Sequence, residues 1–356
     1  MKIFECSFQE FAVYVTKNNK KIICYGAGML PLYIEPIMKQ WNLLDLVSLF
    51  IDNNMVKQGK NLQYGSKKIL IENLAYLKQL SPNDFVILIT AEKYEELYFY
   101  MEKEINLKKW KVFAYPLLNI SLFQKMYLDR IQKENNKKIP KIIHYTWFGK
   151  NEKNLLNQSC IDSWKKYCPD YKVIEWNESN YDVYKNRYIK QAYERKKWAY
   201  VSDYARLDIL YENGGIYFDT DVELIKNIDE LLTYDAFICF GEWPVPNSGA
   251  GIGCSKGNTI VKEMMSTREN ISFVQENNDD DTFTNSNYEM KILQKHGFTM
   301  DFQYQSNENM TLLPTDIIAP VSRTGSNMFI TNRTVGIHYC NNSWRKNCEN
   351  NAIHSK

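Results

Sequence analysis

Short apolar runs alternate with amphipathic segments over the first third of the chain. Four of the runs have the composition of strands that are buried on both faces of a sheet: KIICYG (21–26), LVSLFID (46–52), DFVILIT (84–90) and KVFAY (111–115). Between them the apolar positions recur at helical spacing, around residues 30–41, 71–80 and 93–106. Strand and helix in turn predict a parallel sheet wrapped by helices, with right-handed crossovers. Residues 1–116 are therefore predicted to form a Rossmann-like accessory domain.

Residues 117–138 interrupt this rhythm. They begin as an amphipathic helix and end in a polar run of Asn and Lys, which is typical of a linker. From residue 139 the pattern of strands and helices resumes, and a chain of 356 residues exceeds the usual size of a single hydrophobic core. We therefore predict an α/β protein with domains at 1–116 and 139–356, joined by a helical linker at 117–138.

Three stretches of the second domain predict strands and helices. The segment IPKIIHYTWFG (139–149) is apolar until it stops at glycine, as a core strand does before a loop. Residues 160–180 predict a helix, a break at proline and a strand. Residues 196–215 are long enough for a helix of four turns, and Gly214 is placed to end it in a left-handed cap.

Composition narrows the classes of function. Lys and Arg number 44 against 42 Asp and Glu, a net charge of +2, and no stretch is basic enough to track phosphates, so we expect no nucleic acid partner. No signal cleavage site follows the N-terminus, and no apolar run approaches the ~20 residues of a membrane span. The 8 cysteines are scattered without a C-x-x-C pair, which is typical of reduced, buried thiols. We predict a soluble, cytoplasmic protein.

The first turn of the Rossmann-like domain allows two interpretations. It reads YGAG (25–28), and Asp52 ends the next strand, as at the start of a dinucleotide-binding fold. Pro31 stands where the third glycine of that motif would lie, and it has no amide hydrogen to offer a pyrophosphate. A nucleotide site is one interpretation; the other, which is favoured, is a tight turn in a domain for docking or regulation.

The stretch GGIYFDTDVEL (214–224) places two carboxylates one residue apart after an apolar strand. With a side-chain period of two, Tyr217, Asp219 and Asp221 face one way while the residues between them face the core. Two such carboxylates repel each other and raise each other's pKa unless a cation lies between them. Mg²⁺ or Mn²⁺ accepts oxygen ligands and keeps positions open for substrate phosphates. We therefore predict a divalent metal at Asp219 and Asp221, with a solvated turn as the alternative.

Two further features offer candidate chemistry. Asp203 and Arg206 are i,i+3 neighbours on a predicted helix and are turned toward apolar surroundings, which costs free energy unless the pair has partners. They form either a simple intrahelical ion pair or a pair that binds the hydroxyls of a polar ligand. Trp147 lies at the exit of a predicted strand, where open parallel sheets bind ligands. It is either a core aromatic or a stacking surface for a nucleobase.

Two metal-dependent chemistries share the spacing of the acids. DTDV (219–222) fits the D-x-D-x-[T/V] signature of haloacid-dehalogenase phosphohydrolases, in which Asp219 would be the nucleophile and Asp221 a general acid/base. In sugar transfer from a nucleotide-sugar, the acids hold a metal against the diphosphate and stabilise the leaving group. The phosphohydrolase makes no use of the helical ion pair or the tryptophan, so sugar transfer is favoured.

From Ile139 to Trp344 the chain resembles the DXD-containing sugar transferases of glycosyltransferase family 32, of the capsular polysaccharide type. It is similar, more distantly, to the catalytic domain of the large clostridial glucosylating toxins. The segments that carry the resemblance are KIIHYTWFG, SDYARLDILYENGGIYFDTDVE and GIHYCNNSW. The resemblance implies a GT-A fold for the second domain, a nucleotide-sugar donor, Mn²⁺ or Mg²⁺, and retention of configuration at the transferred sugar.

The resemblance also implies roles by position. The implied residues are Asp203, Arg206, Asp219 and Asp221 for catalysis, Trp147, Tyr217, Ser343 and Trp344 for donor binding, and Asp219, Asp221 and His338 for the metal. Retention can follow a double displacement, for which Glu242 is a candidate nucleophile, or a front-face path that needs no enzyme nucleophile and is favoured.

The expected partners follow from the same resemblance. The donor is expected to be a UDP-sugar of a hexose or N-acetylhexosamine, with a guanine nucleotide as the alternative. The acceptor is expected to be a glycan or lipid-linked glycan of surface polysaccharide synthesis, met at the inner face of the membrane through peripheral association. A third interpretation is a nucleotide-binding module without catalysis.

Overall fold

The computed structural model describes residues 3–4, 6–91, 93–118, 137–276, 278–281, 283–321 and 330–340. The chain divides into two compact units, one of Met1–Asp129 with Thr299–Phe302 and one of Arg130–Phe298 with Gln303–Lys356. Most of the predicted linker at 117–138 lies outside the described residues, and the predicted boundaries at 116 and 138 stay predictions.

The first unit contains a six-stranded sheet. Its strands are β1 (Lys21–Tyr25), β2 (Val47–Ile51), β3 (Asn61–Tyr64), β4 (Lys67–Glu72), β5 (Phe85–Ile89) and β6 (Val112–Ala114). Its helices are α1 (Phe8–Lys17), α2 (Met29–Gln40) and α3 (Tyr94–Glu104), with 3-10 turns at Leu44–Leu46, Leu74–Gln79 and Leu107–Lys109.

The strand order is β3-β4-β2-β1-β5-β6, and every pair except the β3–β4 hairpin is parallel. β1 lies at the centre with Ile23 opposite Ile87 of β5, and both side chains belong to a core that Tyr98 and Met101 of α3 complete. Removing these apolar side chains from water is the main favourable term for such a sheet. The prediction of a Rossmann-like α/β unit is confirmed.

Two parts of this unit differ from the expectation. The amphipathic segment at 71–80 forms the end of β4 and a 3-10 turn rather than an α-helix, and the β3–β4 hairpin before it was not predicted. The helix α1 was missed although Ser7 and Glu10 form a reciprocal capping box, with each side chain accepting from the other residue's backbone N–H. That S-x-x-E spacing was the available signal.

The YGAG turn after β1 is closed by the protein itself. Asp52 accepts a hydrogen bond from the Ala27 backbone N–H at 2.9 Å and from Lys57 Nζ at 3.1 Å. Gly26 has a φ of 114°, and a Cβ there would lie 2.8 Å from the Thr90 carbonyl oxygen. The glycine therefore serves the tight turn, as favoured from the sequence, and the Asp52 carboxylate is engaged within the turn.

The second unit contains two sheets. Its strands are β7 (Ile142–Thr146), β8 (Lys172–Trp176), β9 (Gly215–Tyr217), β10 (Val222–Leu224), β11 (Ala236–Cys239), β12 (Ile252–Cys254), β13 (Gln305–Ser306), β14 (Thr311–Leu313), β15 (Ile318–Pro320) and β16 (Gly336–His338). Its helices are α4 (Leu155–Tyr167), α5 (Arg187–Glu194), α6 (Trp198–Asn213), α7 (Thr259–Ser266) and α8 (Asn285–Lys295), with a 3-10 helix at Asp229–Thr233.

The larger sheet has the order β13-β14-β11-β12-β9-β7-β8, and the smaller one has the order β10-β16-β15. β9 is parallel to β7 and antiparallel to β12, so the sheet is mixed. The fully buried Trp164 of α4 donates its indole N–H to the Val222 carbonyl oxygen of β10 at 2.7 Å, which ties this helix to the smaller sheet. The predicted α/β fold is confirmed in this mixed sheet, and its GT-A type stays a prediction. The interior strand β9 leads into the Asp-x-Asp turn.

A sharp reversal joins α6 to β9. Gly214 ends the helix with a φ of 68°, as predicted, and Gly215 follows with a φ of 102°. The buried His144 donates from Nε2 to the Gly214 carbonyl oxygen at 2.9 Å and accepts at Nδ1 from Trp176 at 3.0 Å. Burial lowers the pKa of His144 to about 4, so the ring is neutral at neutral pH. His144 therefore anchors the start of the strand that leads to the acids.

No helix within the described ranges is long and apolar enough to cross a membrane.

Candidate functional site

Asp219, Asp221 and His338 come together at the end of β9. One candidate ligand atom of each residue lies within 4.8 Å of the other two. β9 ends at Tyr217, earlier than the predicted strand, and the chain then turns, with the Val222 N–H donating to the Asp219 carbonyl oxygen at 3.1 Å. The antiparallel pairing of β10 with β16 places His338 opposite Val222. The turn and this pairing together assemble the cluster from distant parts of the chain.

The donor set of the cluster fits a hard divalent cation. Two carboxylate oxygens and one imidazole nitrogen suit Mn²⁺ or Mg²⁺. The side chain of Asp219 is 33% exposed, so the cluster is open on one side. His338 Nε2 lies 3.4 Å from Asp221 Oδ1; burial lowers the pKa of this histidine, but Cys340 and Asp221 outweigh it and raise the pKa well above its usual value. Binding a cation at the imidazole would therefore release a proton.

Arg206 is paired with two carboxylates. Its Nη2 lies 2.9 Å from Asp203 Oδ1 on the same helix and 3.2 Å from Asp219 Oδ1. Burial lowers the pKa of Arg206, but Asp219, Tyr217 and Asp203 together raise it, so the guanidinium stays charged. Burial raises the pKa of Asp203, and Arg206 opposes that shift. The ion pair predicted on α6 is thus formed, and it extends to the first acid of the Asp-x-Asp motif.

Tyr217 donates a hydrogen bond to Asp219 and so positions its carboxylate. Its hydroxyl donates to Asp219 Oδ1 at 3.0 Å and lies 2.9 Å from Thr146 Oγ1, while the Arg206 guanidinium lies 4.9 Å from its ring centroid. The tyrosine is 1% exposed. The structure therefore shows it positioning the carboxylate, and its contact with donor ribose or diphosphate stays a prediction.

Three further residues complete the turn, and two of them lie in the segment 241–253, which the sequence predicted to border the acceptor and sugar pockets. Asn157 donates from Nδ2 to Thr220 Oγ1 at 3.0 Å, which fixes the residue between the two acids. The Gly249 carbonyl oxygen accepts from the Asp219 N–H at 2.9 Å, and a Cβ on Gly249 would collide with Asp219 Oδ2. Ser248 accepts at Oγ from Arg206 Nη1 at 3.1 Å. The run of small residues in GAGIGCSKGN (249–258) was the only sequence signal for the close approach of Gly249 to Asp219.

Trp147 follows β7, the parallel neighbour of β9. Because the carboxyl ends of parallel strands meet at one edge of a sheet, the indole and the Asp-x-Asp turn share that edge. The indole Nε1 donates to the Asn151 carbonyl oxygen at 2.6 Å, and Lys153 Nζ lies 5.2 Å from the ring centroid. The ring is therefore held in one orientation by the loop that follows the strand.

The remaining predicted residues have different outcomes. Ser343 and Trp344 lie outside the described residues. Glu242 lies between the bridge partners Phe240 and Pro246, and its role as a nucleophile stays a prediction. The structure gives a defined geometry to seven of the predicted residues: Trp147, Asp203, Arg206, Tyr217, Asp219, Asp221 and His338.

Residues 156–238 match the family model described as "Glycosyltransferase sugar-binding region containing DXD motif". The matched segment contains Asp203, Arg206 and both acids of the Asp219–Asp221 pair. The predicted resemblance to DXD-containing sugar transferases is therefore confirmed for this region, while membership of family 32 stays a prediction.

Relatives of known name are mannosyltransferases. Inositol phosphoceramide mannosyltransferase 3 of Schizosaccharomyces pombe is 29% identical over 164 residues, which are 42% of this chain and 42% of the relative. The mannosyl phosphorylinositol ceramide synthase SUR1 of Saccharomyces cerevisiae is 34% identical over 107 residues, which are 28% of this chain and 27% of the relative. The matched part spans less than half the length of each relative.

Two solved structures of glycosyltransferases are also similar. The PaToxG glycosyltransferase has a TM-score of 0.37 at 18% identity, with 45% of this chain and 70% of that chain covered. A glycosyltransferase involved in glycosylation of the major capsid of PBCV-1 has a TM-score of 0.35 at 15% identity, with 60% of this chain and 100% of that chain covered. Similarity at this level does not by itself establish a shared activity.

Proposed function

We propose, from the DXD-containing sugar-binding region at residues 156–238, that this chain is a metal-dependent, retaining glycosyltransferase. It moves a hexose or N-acetylhexosamine from a nucleotide-sugar to a glycan or lipid-linked glycan in surface polysaccharide synthesis. The observation that carries the proposal is the cluster of Asp219, Asp221 and His338 within 4.8 Å, with Arg206 beside it at 3.2 Å from Asp219.

The cluster of Asp219, Asp221 and His338 suits a nucleoside diphosphate better than a neutral ligand. Asp219, Asp221 and His338 would hold Mn²⁺ or Mg²⁺. A divalent ion bound there supplies positive charge that stabilises the diphosphate as the leaving group. Asp219 is paired with Arg206, a guanidinium that cannot bind a metal ion, whereas Asp221 lies 3.4 Å from His338, which can bind the ion beside it once its proton is lost.

Asp203 and Arg206 are suited to hold the donor sugar. The side chain of Asp203 is 16% exposed and its carboxylate accepts hydrogen bonds only, so it selects hydroxyl donors rather than anions. Arg206 offers the opposite polarity, because a guanidinium only donates. Side by side at 2.9 Å, the two groups can orient neighbouring sugar hydroxyls against the metal cluster.

The front-face path agrees with this arrangement. In that path the bond from the anomeric carbon to the phosphate oxygen breaks, and the acceptor hydroxyl forms its bond on the same face. The released phosphate oxygen takes the proton of the acceptor hydroxyl, so no enzyme nucleophile is required. Arg206, charged and fixed by four acceptors, is placed to stabilise the charge that develops on the donor.

The names of the relatives guide the choice of substrates. Both matched relatives are named for mannosyl transfer to inositol-containing ceramides, which supports a hexose donor and a lipid-borne acceptor. Mannose is therefore tested beside the UDP-sugars that the sequence resemblance favours. We place the reaction in the cytoplasm, at the inner face of the membrane, where a lipid-linked glycan is accessible.

The experiment incubates the full chain with UDP-glucose, UDP-galactose, UDP-N-acetylglucosamine and GDP-mannose, with Mn²⁺, Mg²⁺ or a chelator. Release of the nucleoside diphosphate is followed. We expect metal-dependent hydrolysis of one donor, lowered about 100-fold or more in Asp221→Asn, because the metal supplies several kcal/mol of charge stabilisation. Asp235→Asn, a surface acid paired with Lys138, is the matched control and should keep wild-type turnover.

Other outcomes separate the alternatives. Release of phosphate from monoesters, without donor turnover, would support a phosphohydrolase with Asp219 as its nucleophile. Nucleotide binding without any turnover, lost when Gly28 is replaced by valine, would support a binding module in the first unit. Donor hydrolysis that persists unchanged in the chelator would contradict the metal dependence.

A further inference from the structure

A chain of hydrogen-bonded polar side chains, three of them buried, ends on Arg206. Its members are Ser248, Asn285, Glu289 and Arg268, and we call them the polar relay. Ser248 and Glu289 are 0% exposed and Arg268 is 1% exposed. Arg268 follows α7, while Asn285 and Glu289 lie one turn apart on α8. None of the four was assigned a role from the sequence.

The hydrogen bonds of the relay have one consistent direction. Arg268 can only donate, and its Nη2 donates to Asn285 Oδ1, so the amide oxygen of Asn285 must face the arginine. The amide nitrogen then faces the other way, where it donates to Ser248 Oγ at 2.6 Å and to Glu289 Oε1. Arg268 therefore fixes the orientation of the Asn285 amide.

The relay ends on the guanidinium that contacts the acids. Ser248 Oγ accepts from Asn285 Nδ2 and also from Arg206 Nη1 at 3.1 Å. The backbone N–H of Ser248 donates to Glu289 Oε2 at 3.4 Å. The Glu289 carboxylate thus binds the Ser248 backbone and also the Asn285 amide, which donates to the Ser248 hydroxyl. Because that hydroxyl accepts from Arg206 Nη1, both contacts help to set the direction of Nη1.

The cost of this arrangement argues against a purely structural role. A fully buried carboxylate is expensive, and burial raises the pKa of Glu289 while Ser248 and the two arginines oppose the shift. The Nε and Nη1 atoms of Arg268 are buried and have no hydrogen-bond partner among the described residues. Apolar side chains of similar volume would fill the same space between α7 and α8 at lower cost.

We infer that Glu289 is a positioning residue that holds Arg206 in its catalytic orientation through Ser248. The expected effect of Glu289 on turnover rests on the proposed function, whereas its expected effect on the position of Arg206 does not. Asn285 and Arg268 act with Glu289, because they direct the amide donor that reaches Ser248 Oγ. Loss of the carboxylate should therefore loosen Arg206 while the acids of the Asp-x-Asp turn stay in place.

The test compares Glu289→Gln with Glu263→Gln. Glu263 is a glutamate on α7 that pairs with Lys295 at 2.6 Å on the surface. The first readout needs no substrate: it is the hydrogen-exchange rate of the Arg206 Nη1–H group that donates to Ser248 Oγ, measured by NMR with ¹⁵N-labelled arginine. We expect exchange about tenfold faster in Glu289→Gln, as for the loss of one hydrogen bond, and no change in Glu263→Gln.

The second readout is donor hydrolysis. Glu289→Gln should lower kcat by about 10- to 100-fold, the usual effect of losing a supporting contact, with little change in donor KM. In an Arg206→Lys background the same substitution should lower kcat very little further, because the effects of residues that act as a unit are not additive. Ser248→Ala, which removes only the hydroxyl, should reproduce the faster exchange if Glu289→Gln folds poorly.

The outcomes distinguish this inference from the proposed function. Equal Arg206 exchange in both glutamate variants and in Ser248→Ala would overturn the inference, whatever the activity. Additive losses with Arg206→Lys would overturn it too, because Glu289 would then act elsewhere. If the wild-type protein hydrolyses no donor, the proposed function fails, and the exchange measurement still decides whether Glu289 positions Arg206.

Discussion

Arg206 Nη2 lies 3.2 Å from Asp219 Oδ1, so the first acid of the Asp-x-Asp pair is ion-paired within the protein. The second acid, Asp221, has His338 Nε2 at 3.4 Å instead. Two acids one residue apart in the chain are therefore held by different partners. This asymmetry makes Asp221 the stronger candidate for direct metal binding and Asp219 the link between the metal cluster and the sugar-binding pair.

Removing Arg206 should leave two carboxylates without their shared counter-charge. We expect Arg206→Ala to lose about 3 kcal/mol of unfolding free energy in urea, because a buried ion that loses its partner is strongly destabilising. Adding Asp203→Asn should recover part of the loss, since it removes one of the orphaned charges. Equal or greater destabilisation in the double variant would show that repulsion between the carboxylates is not the cause.

A methyl group on Gly249 should displace the Asp219 carboxylate. The Cβ of Gly249→Ala would collide with Asp219 Oδ2, so the carboxylate would have to move. We expect Mn²⁺ affinity, measured by calorimetry, to fall by about 10- to 100-fold with a small change in melting temperature. Gly28→Ala is the matched control, because nothing lies within 4 Å of its added Cβ. Unchanged affinity in Gly249→Ala would show that Asp219 does not bind the ion.

Trp147 should contribute stacking energy to nucleotide binding. Loss of an aromatic ring under a base costs about 1–3 kcal/mol, so Trp147→Ala should weaken binding of the free nucleoside diphosphate by about 5- to 150-fold. Trp147→Phe should keep most of the affinity, because a smaller ring still stacks. The control is Tyr184→Ala, an aromatic that is 58% exposed. Equal affinity in all three variants would remove Trp147 from the donor site.

Asp229 should make the second unit sensitive to acid. Partial burial raises its pKa, but hydrogen bonds from Lys137, Tyr171 and Lys141 outweigh burial and lower the pKa from 3.8 to about 2. A carboxylate with a lowered folded pKa stabilises the protein above its unfolded pKa and loses that contribution as pH falls through the folded value. The free energy of unfolding should therefore drop between pH 4 and pH 2.

The change that tests this is Asp229→Asn. Its free energy of unfolding should be lower than that of the wild type at pH 7 and should fall less steeply between pH 4 and pH 2, because the titrating group is gone. Asp162→Asn, in which the acid is 58% exposed, should follow the wild-type curve. Parallel curves for the wild type and Asp229→Asn would assign the acid sensitivity to other carboxylates.

Local features of the chain could be predicted from the sequence without the tertiary structure. The apolar runs at β1, β2, β5 and β6 are long enough to identify buried strands, and the α6 helix was predicted together with its glycine cap. The pairing of Asp203 with Arg206 follows from helix geometry alone, because residues three apart lie on one face. The boundaries of β9 were wrong, since the turn that ends it depends on contacts with Gly249 and Asn157.

The sequence by itself determined the buried strands β1, β2, β5 and β6, the α6 helix, the two acids and the charged pair, because spacing along the chain sets these relations. Only the tertiary structure decided which distant residues join them. His338 reaches Asp221 through the pairing of β10 with β16, and Glu289 reaches Arg206 through the packing of α8. Apolar periodicity tells which face of a strand or helix is buried, but not which element covers it, since hydrophobic attraction has no direction and most apolar partners are interchangeable.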